Sequence, residues 1–128
     1  MASPHSHRVL VVDDDAACLE ALVFFLRQAG FAVDGALGGA VALNRLRSEK
    51  LPCAVVTDGL MPDMNGWELV AAMQAEPQLA GVPVVMMSGR SDEVARALAE
   101  GVRAYLPKPT DPQEIADTVA RYCRCANT

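Results

Sequence analysis

The chain has 128 residues, of which 52% are hydrophobic and 21% are charged, and its net charge is −5. This length suits one domain with a sizeable core, and the composition excludes a disordered chain. The acidic balance argues against direct nucleic-acid binding, and no apolar run approaches the ~20 residues that span a bilayer. Four scattered cysteines match no zinc pattern and fit a reducing compartment. We therefore expect a soluble, cytoplasmic protein without a membrane partner.

Strands and helices are predicted to alternate along a single domain, residues 8–125, between a flexible N-terminal tail (1–7) and a short C-terminal end (126–128). Apolar, β-branched runs predict strands at Val9–Val12, Phe31–Val33, Cys53–Thr57, Val82–Met87 and Arg103–Leu106. Helical periodicity predicts one helix after Asp15 and others at about Gly39–Ser48, Gly66–Ala75, Ser91–Glu100 and Asp111–Cys123. Asp15, Asn65 and Asp111 are the predicted N-terminal caps of three of these helices. Such alternation specifies an α/β fold with a parallel sheet.

Charged and hydroxyl side chains follow four of the five predicted strands. These residues are Asp13, Asp14, Asp58, Ser88 and Lys108. The second strand is instead followed by Asp-Gly, which favours a turn. The carboxyl ends of parallel strands share one edge of a sheet, so these side chains should converge there. Clustered carboxylates raise the cost of ionising one another, and their oxygens suit Mg²⁺ or Mn²⁺. The sequence therefore predicts a divalent-metal pocket.

An acidic metal pocket of this kind favours phosphoryl transfer. A carboxylate can act as the nucleophile and form an aspartyl phosphate. Asp58, which ends the central strand, is the candidate acceptor. Lys108 and Ser88 could each hold a phosphoryl oxygen.

Four segments at these strand ends resemble the receiver domain of two-component response regulators. The segments are Val11–Asp15, Asp58–Gly66, Pro83–Gly89 and Tyr105–Pro109. The resemblance covers nearly the whole chain. It implies a flavodoxin-like, doubly wound, five-stranded parallel sheet of order 2-1-3-4-5, flanked by five helices.

The resemblance also implies a signalling phosphoacceptor rather than an enzyme. Asp58 would receive its phosphoryl group from a histidine kinase or a histidine phosphotransfer protein. The metal would be held by Asp13, Asp14 and Asp58 together with the backbone carbonyl of Leu60. Ser88 would turn toward the phosphoryl group and Tyr105 would change rotamer. The switched surface would comprise the helix at 91–100, the fifth strand and the last helix. The downstream target, and a phosphorylation-dependent dimer through that surface, stay open.

Three departures from the family pattern bear on this resemblance. Leu60 and Arg90 stand where the family tunes dephosphorylation, and they favour a phosphorylated state that is not very short-lived. Thr110 replaces a bulky apolar residue, which predicts looser docking of the last helix.

Phe24 is a candidate partner contact on the first predicted helix. At 100° per residue it lies away from the buried stripe, on the side that carries Ala17 and Ala21. An exposed ring among alanines suits a partner helix, and receivers meet their kinases with this helix. A ring partly covered by a neighbouring loop is the alternative.

Two other functions stay open at this point. Asp13 and Asp15 form an Asp-x-Asp that looks like a haloacid-dehalogenase-type phosphohydrolase, with Asp13 as nucleophile and Asp15 as acid. A receiver-like interaction module that works unphosphorylated is the second alternative. Whether the chain is a single-domain regulator or part of a longer protein is also undecided.

Overall fold

Five short parallel strands form one sheet in the computed structural model of the chain, which describes residues 8–59, 61, 64–89, 96, 98, 100–108 and 110–123. The strands are Arg8–Val12 (β1), Ala32–Ala36 (β2), Ala54–Asp58 (β3), Val84–Ser88 (β4) and Ala104–Pro107 (β5). Their order is β2-β1-β3-β4-β5, and every neighbouring pair is parallel. The predicted doubly wound, flavodoxin-like fold is confirmed.

Helices lie on both faces of this sheet. They are Ala16–Gln28 (α1), Gly39–Ser48 (α2), Gly66–Gln74 (α3), Pro77–Ala80 (α4) and Pro112–Tyr122 (α5). The single turn α4 was not predicted. The predicted helix at 91–100 lies largely outside the described residues, although Arg96 and Leu98 are helical. Within the described part of the chain, no helix has the length and apolar character needed to cross a membrane.

The sheet is buried on both faces, which explains why its strands are largely apolar. Every residue of β3 and β4 is buried. In β1, Val9 and Val11 join a core cluster with α1 and α5, while Leu10 and Val12 join a second cluster with α2 and α3. Because successive side chains of a strand point to opposite faces of the sheet, a strand between two helical layers needs apolar residues at both odd and even positions.

β2 extends through two residues that the sequence predicts as a turn. Asp34 lies opposite Leu10, and Gly35 lies opposite Val11. The Asp34 carboxylate is compensated by Arg8, whose Nη2 is 2.8 Å from Asp34 Oδ2. A Cβ at Gly35 would lie 3.2 Å from the Leu19 side chain, so glycine lets α1 pack closely there. The turn prediction was wrong because edge pairing and helix packing outweigh local turn preference.

The predicted helix caps are present in the structure. The Asp15 carboxylate accepts hydrogen bonds from the N–H groups of Ala17 and Cys18, at 2.9 and 3.2 Å. Asp111 accepts one from the N–H of Gln113 at 2.9 Å. α3 begins with a reciprocal capping box between Asn65 and Glu68.

The scattered cysteines favoured reduced thiols throughout, but the structure contains a disulfide-bonded cysteine. Cys18 and Cys123 are not in disulfides, whereas Cys53 is disulfide-bonded. Spacing along the chain does not reveal which sulfurs meet after folding, because a disulfide depends on the distance and direction between Cβ atoms.

Candidate functional site

The carboxyl ends of the central strands are joined into one edge by backbone hydrogen bonds. The N–H of Gly59, just after β3, donates to the carbonyl oxygen of Met87 in β4 at 2.8 Å, and the N–H of Lys108 donates to that of Ser88 at 2.8 Å. At the other side, the N–H of Asp13 donates to the carbonyl oxygen of Ala36 at 3.1 Å. Side chains widely separated in the sequence are thereby held at fixed places along the edge.

Three carboxylates converge at this edge. Asp13, Asp14 and Asp58 each place one oxygen within 4.8 Å of those of the other two. Asp13 is 6% exposed and Asp58 is 8% exposed, whereas Asp14 faces solvent. Asp13 Oδ1 accepts a hydrogen bond from the N–H of Asp15 at 3.0 Å, so the turn that begins α1 also orients a pocket carboxylate.

Crowding of these acids changes the proton affinity of Asp13. Burial, followed by repulsion from Asp58 and Asp14, raises the pKa of the Asp13 carboxyl above its usual value. The hydrogen bond from Asp15 and the charge of Lys108 oppose this rise in pKa only in part. Ionised Asp13 is therefore costly in a pocket without a cation.

Lys108 supplies a positive charge directly beside Asp58. Its Nζ lies 3.1 Å from Asp58 Oδ1, and its side chain is 40% exposed. With all three carboxylates ionised and the Lys108 ammonium beside them, the net charge of the pocket is −2. The donor set is entirely oxygen, with two buried acids and one exposed acid. These residues therefore fit a hard divalent cation that keeps some of its water ligands.

Ser88 lies at the end of β4, next to a glycine that leaves room for it. Ser88 is buried, with 3% of its surface exposed. A Cβ placed on Gly59 would lie 3.2 Å from Ser88 Cβ and 3.4 Å from Ser88 Oγ. Gly59 therefore leaves space for the Ser88 hydroxyl at the end of β3.

Tyr105 is buried in β5 opposite Met86 of β4, with only 8% of its surface exposed. Its ring stacks on Trp67 of α3, with ring centroids 6.2 Å apart and an interplanar angle of 26°. The Arg96 guanidinium lies over the Trp67 ring, 4.2 Å from the centroid. This arrangement was not predicted from the sequence, because nothing in local periodicity indicates that the first turn of α3 meets β5.

The first helix presents the predicted apolar surface. Phe24 is 66% exposed, and Ala17 and Ala21 are exposed on the same helix. A cleft of about 540 Å³ lies between α1 and α5 and opens beside Asp13 and Lys108. Its apolar lining includes Leu22, Phe25 and Ile115, and it was not foreseen from the sequence.

Other predictions near the site have separate outcomes. Leu60 and Arg90 lie outside the described residues. Thr110 is described, and its hydroxyl donates to the carbonyl oxygen of Pro107, which closes the turn before α5.

Comparisons with known proteins agree with this fold. The family model described as response regulator receiver domain matches residues 9–120. The two-component response regulator ORR5 of Oryza sativa subsp. japonica is 34% identical over 124 residues, which cover 95% of this chain and 90% of that protein.

Solved structures show the same likeness. A putative response regulator from Chloroflexus aurantiacus is 31% identical, with a TM-score of 0.85 and coverage of 93% of this chain and 98% of that one. The Vibrio cholerae chemotaxis protein CheY4 is 27% identical, with a TM-score of 0.84 and coverage of 92% and 99%.

The chain therefore belongs to the response regulator receiver domain family of two-component signalling. Members of this family are signalling domains rather than classical enzymes, and they bind Mg²⁺ at an acidic pocket. This chain also carries a cluster of three aspartates, Asp13, Asp14 and Asp58.

Proposed function

We propose that Asp58 is the phosphoacceptor of this receiver and takes its phosphoryl group from a histidine kinase or a histidine phosphotransfer protein. One observation carries the proposal: Asp58 is buried within 4.8 Å of two further carboxylate oxygens and 3.1 Å from an ammonium group. A cluster of this composition can neutralise a phosphoryl group on one side and a divalent ion on the other.

The transfer is a nucleophilic substitution at phosphorus. A carboxylate oxygen of Asp58 attacks as the bond from phosphorus to the imidazole nitrogen breaks, and the leaving imidazole takes up a proton from water. Lys108 Nζ, next to Asp58 Oδ1, pairs with a phosphoryl oxygen as charge develops. Mg²⁺ or Mn²⁺, held by Asp13, Asp14, Asp58 and the Leu60 carbonyl, would neutralise the remaining phosphoryl charge.

The signal passes to a distant surface through Ser88 and Tyr105. A phosphoryl group adds about −1.5 to −2 charge and three acceptor oxygens. The Ser88 hydroxyl donates to one of these oxygens, and the Tyr105 ring occupies the space behind it. The output surface comprises the predicted helix at 91–100, β5 and α5, and a dimer formed through it on phosphorylation would be one output. We place this one functional unit, residues 8–125, in the cytoplasm.

The phosphodonor approaches over α1. Phe24, Ala17 and Ala21 supply an exposed apolar strip, and the cleft between α1 and α5 leads from there to Lys108. A helix carrying the phosphohistidine can pack on this surface and reach Asp58 along the cleft.

The test is labelling with acetyl phosphate and Mg²⁺, read by intact mass and peptide mapping. We expect one phosphoryl group on Asp58, none in Asp58→Asn, and strongly reduced labelling in Asp13→Asn. Label that persists in Asp58→Asn but disappears in Asp13→Asn would instead favour the phosphohydrolase. An unlabelled parent protein that still binds its partner would favour the unphosphorylated interaction module.

A further inference from the structure

Trp67 stacks on Tyr105, and Arg96 lies over Trp67, in contacts that the phosphotransfer chemistry does not use. Trp67 is buried, with 8% of its surface exposed, and its indole stacks on the Tyr105 ring from the α3 side. The Arg96 guanidinium covers the indole and also pairs with Glu100, whose Oε2 lies 3.1 Å from Arg96 Nε. Three side chains from three parts of the chain therefore form one layered contact.

The position of Trp67 is rigidly set by the start of α3. The capping box holds Asn65 and Glu68, with hydrogen bonds of 2.9 and 3.0 Å between their side chains and each other's N–H groups. The N–H of Gly66 donates to the carbonyl oxygen of Gly59 at 3.1 Å, directly after Asp58. The indole is thus anchored to the same backbone that carries the acceptor aspartate.

We propose that Trp67 is a positioning residue that holds Tyr105 in its buried position before any phosphoryl group is present, and that Arg96 supports Trp67 in this role. The inference rests on the proposed function, in which a buried Tyr105 ring accompanies an occupied Asp58. Stacking on Trp67 then favours the ring position that phosphorylation also favours. Trp67 raises the affinity of the pocket for a phosphoryl group without contacting it.

The size of the effect follows from the strength of aromatic contacts. An aromatic pair and a partly exposed cation–π contact each shift an equilibrium by about two- to tenfold. When the binding-competent state of a protein is less populated, the apparent affinity for the ligand falls in proportion to that population. Loss of the Trp67 ring should therefore weaken binding of a phosphoryl mimic by about two- to tenfold.

The first experiment measures where the Tyr105 ring lies. The chain has two tyrosines, so 3-fluorotyrosine gives two ¹⁹F signals, and Tyr122 serves as an internal reference. The solvent isotope shift between H₂O and D₂O reports exposure of each ring. We expect a small shift for Tyr105 in the parent, a larger one in Trp67→Leu and an intermediate one in Trp67→Phe, with Tyr122 unchanged.

The second experiment measures binding of beryllofluoride with Mg²⁺ by calorimetry. We expect the dissociation constant to rise about two- to tenfold in Trp67→Leu, and the ligand to return the Tyr105 isotope shift toward its parent value. Met73→Leu is the matched control, because Met73 is buried on the same helix in the same core cluster. It should change neither measurement.

Each outcome decides a different statement. A parent protein that binds no beryllofluoride contradicts the proposed function itself. The positioning role alone is overturned if the parent and Trp67→Leu bind beryllofluoride equally well and Tyr105 stays buried in both. An exposed Tyr105 in the ligand-free parent also overturns it. If Trp67→Leu does not fold, Arg96→Gln replaces it, with Glu100→Gln as control. Arg96→Gln must then increase the exposure of Tyr105 more than Glu100→Gln does, or the proposal fails.

Discussion

Gly66 offers the sharpest test of how the fold holds the acceptor site. It is the first residue of α3, and an added Cβ would lie 2.6 Å from the carbonyl oxygen of Asp58. The same Cβ would lie 3.0 Å from Met86 Cε and 3.1 Å from Gly59 Cα. Gly66→Ala therefore forces a methyl group against the backbone of the acceptor itself.

The expected cost exceeds the usual benefit of replacing glycine in a helix. Alanine is favoured over glycine by up to about 1 kcal/mol in a helix interior. A carbon atom normally keeps about 3.3 Å or more from a carbonyl oxygen, so either α3 or Asp58 must move. Overpacking of this kind costs typically about 1–3 kcal/mol. Since the obstacle is backbone rather than a flexible side chain, we expect a net loss of about 1–2 kcal/mol.

Gly81→Ala is the matched control for this substitution. Gly81 has φ −84°, and a Cβ added there would meet no heavy atom within 4 Å apart from its own chain neighbours. Alanine fits that backbone and should leave stability unchanged or raise it by less than about 1 kcal/mol.

Urea unfolding and acetyl phosphate labelling measure the two consequences. We expect the urea midpoint of Gly66→Ala to fall by about 0.3–2 M, from typical urea m-values of about 1–3 kcal/mol/M. We also expect labelling to slow by about tenfold, because displacement of the nucleophile is costly. A Gly66→Ala protein as stable as Gly81→Ala, with parent labelling rates, would refute the close contact between α3 and Asp58.

Three further predictions use single substitutions. Asp13→Asn should raise the free energy of unfolding of the metal-free protein at neutral pH by about 0.5–2 kcal/mol. In thermal melts, the same substitution should abolish the stabilisation that Mg²⁺ gives the parent. The pKa of Asp13 is raised in the folded state, so ionised Asp13 lowers the free energy of unfolding at pH values above that pKa. The gain in stability of Asp13→Asn over the parent should therefore shrink as the pH falls through the folded-state pKa of Asp13. Asn65→Ala should lose about 1 kcal/mol in urea unfolding through loss of the α3 cap; an unchanged midpoint would contradict this. Phe24→Ala should slow transfer from a cognate kinase with little loss of stability, whereas Leu26→Ala, in the core, should lose about 2–5 kcal/mol. Equal transfer rates for Phe24→Ala and the parent would exclude docking there.

Much of the candidate site could be predicted because it depends on local patterns. Asp13, Asp58 and Lys108 each follow a short apolar run, and parallel strands bring their ends together. Asp34 shows the limit of this reasoning. Its Asp-Gly pair is a strong turn signal, yet an arginine from the neighbouring strand compensates the carboxylate and β2 continues through it.

The sequence alone determined where most of the strands and helices lie, where three helices are capped, and which charged side chains end up at one edge. Those features depend on residues that are near neighbours in the chain, or on the parallel sheet that their alternation requires. Only the tertiary structure decided that Trp67 stacks on Tyr105, that Gly66 touches the backbone of Asp58, and that a cleft separates α1 from α5. Such contacts depend on strand register and on how closely each helix packs on the sheet, and both are set by the packing of the whole core rather than by any single segment.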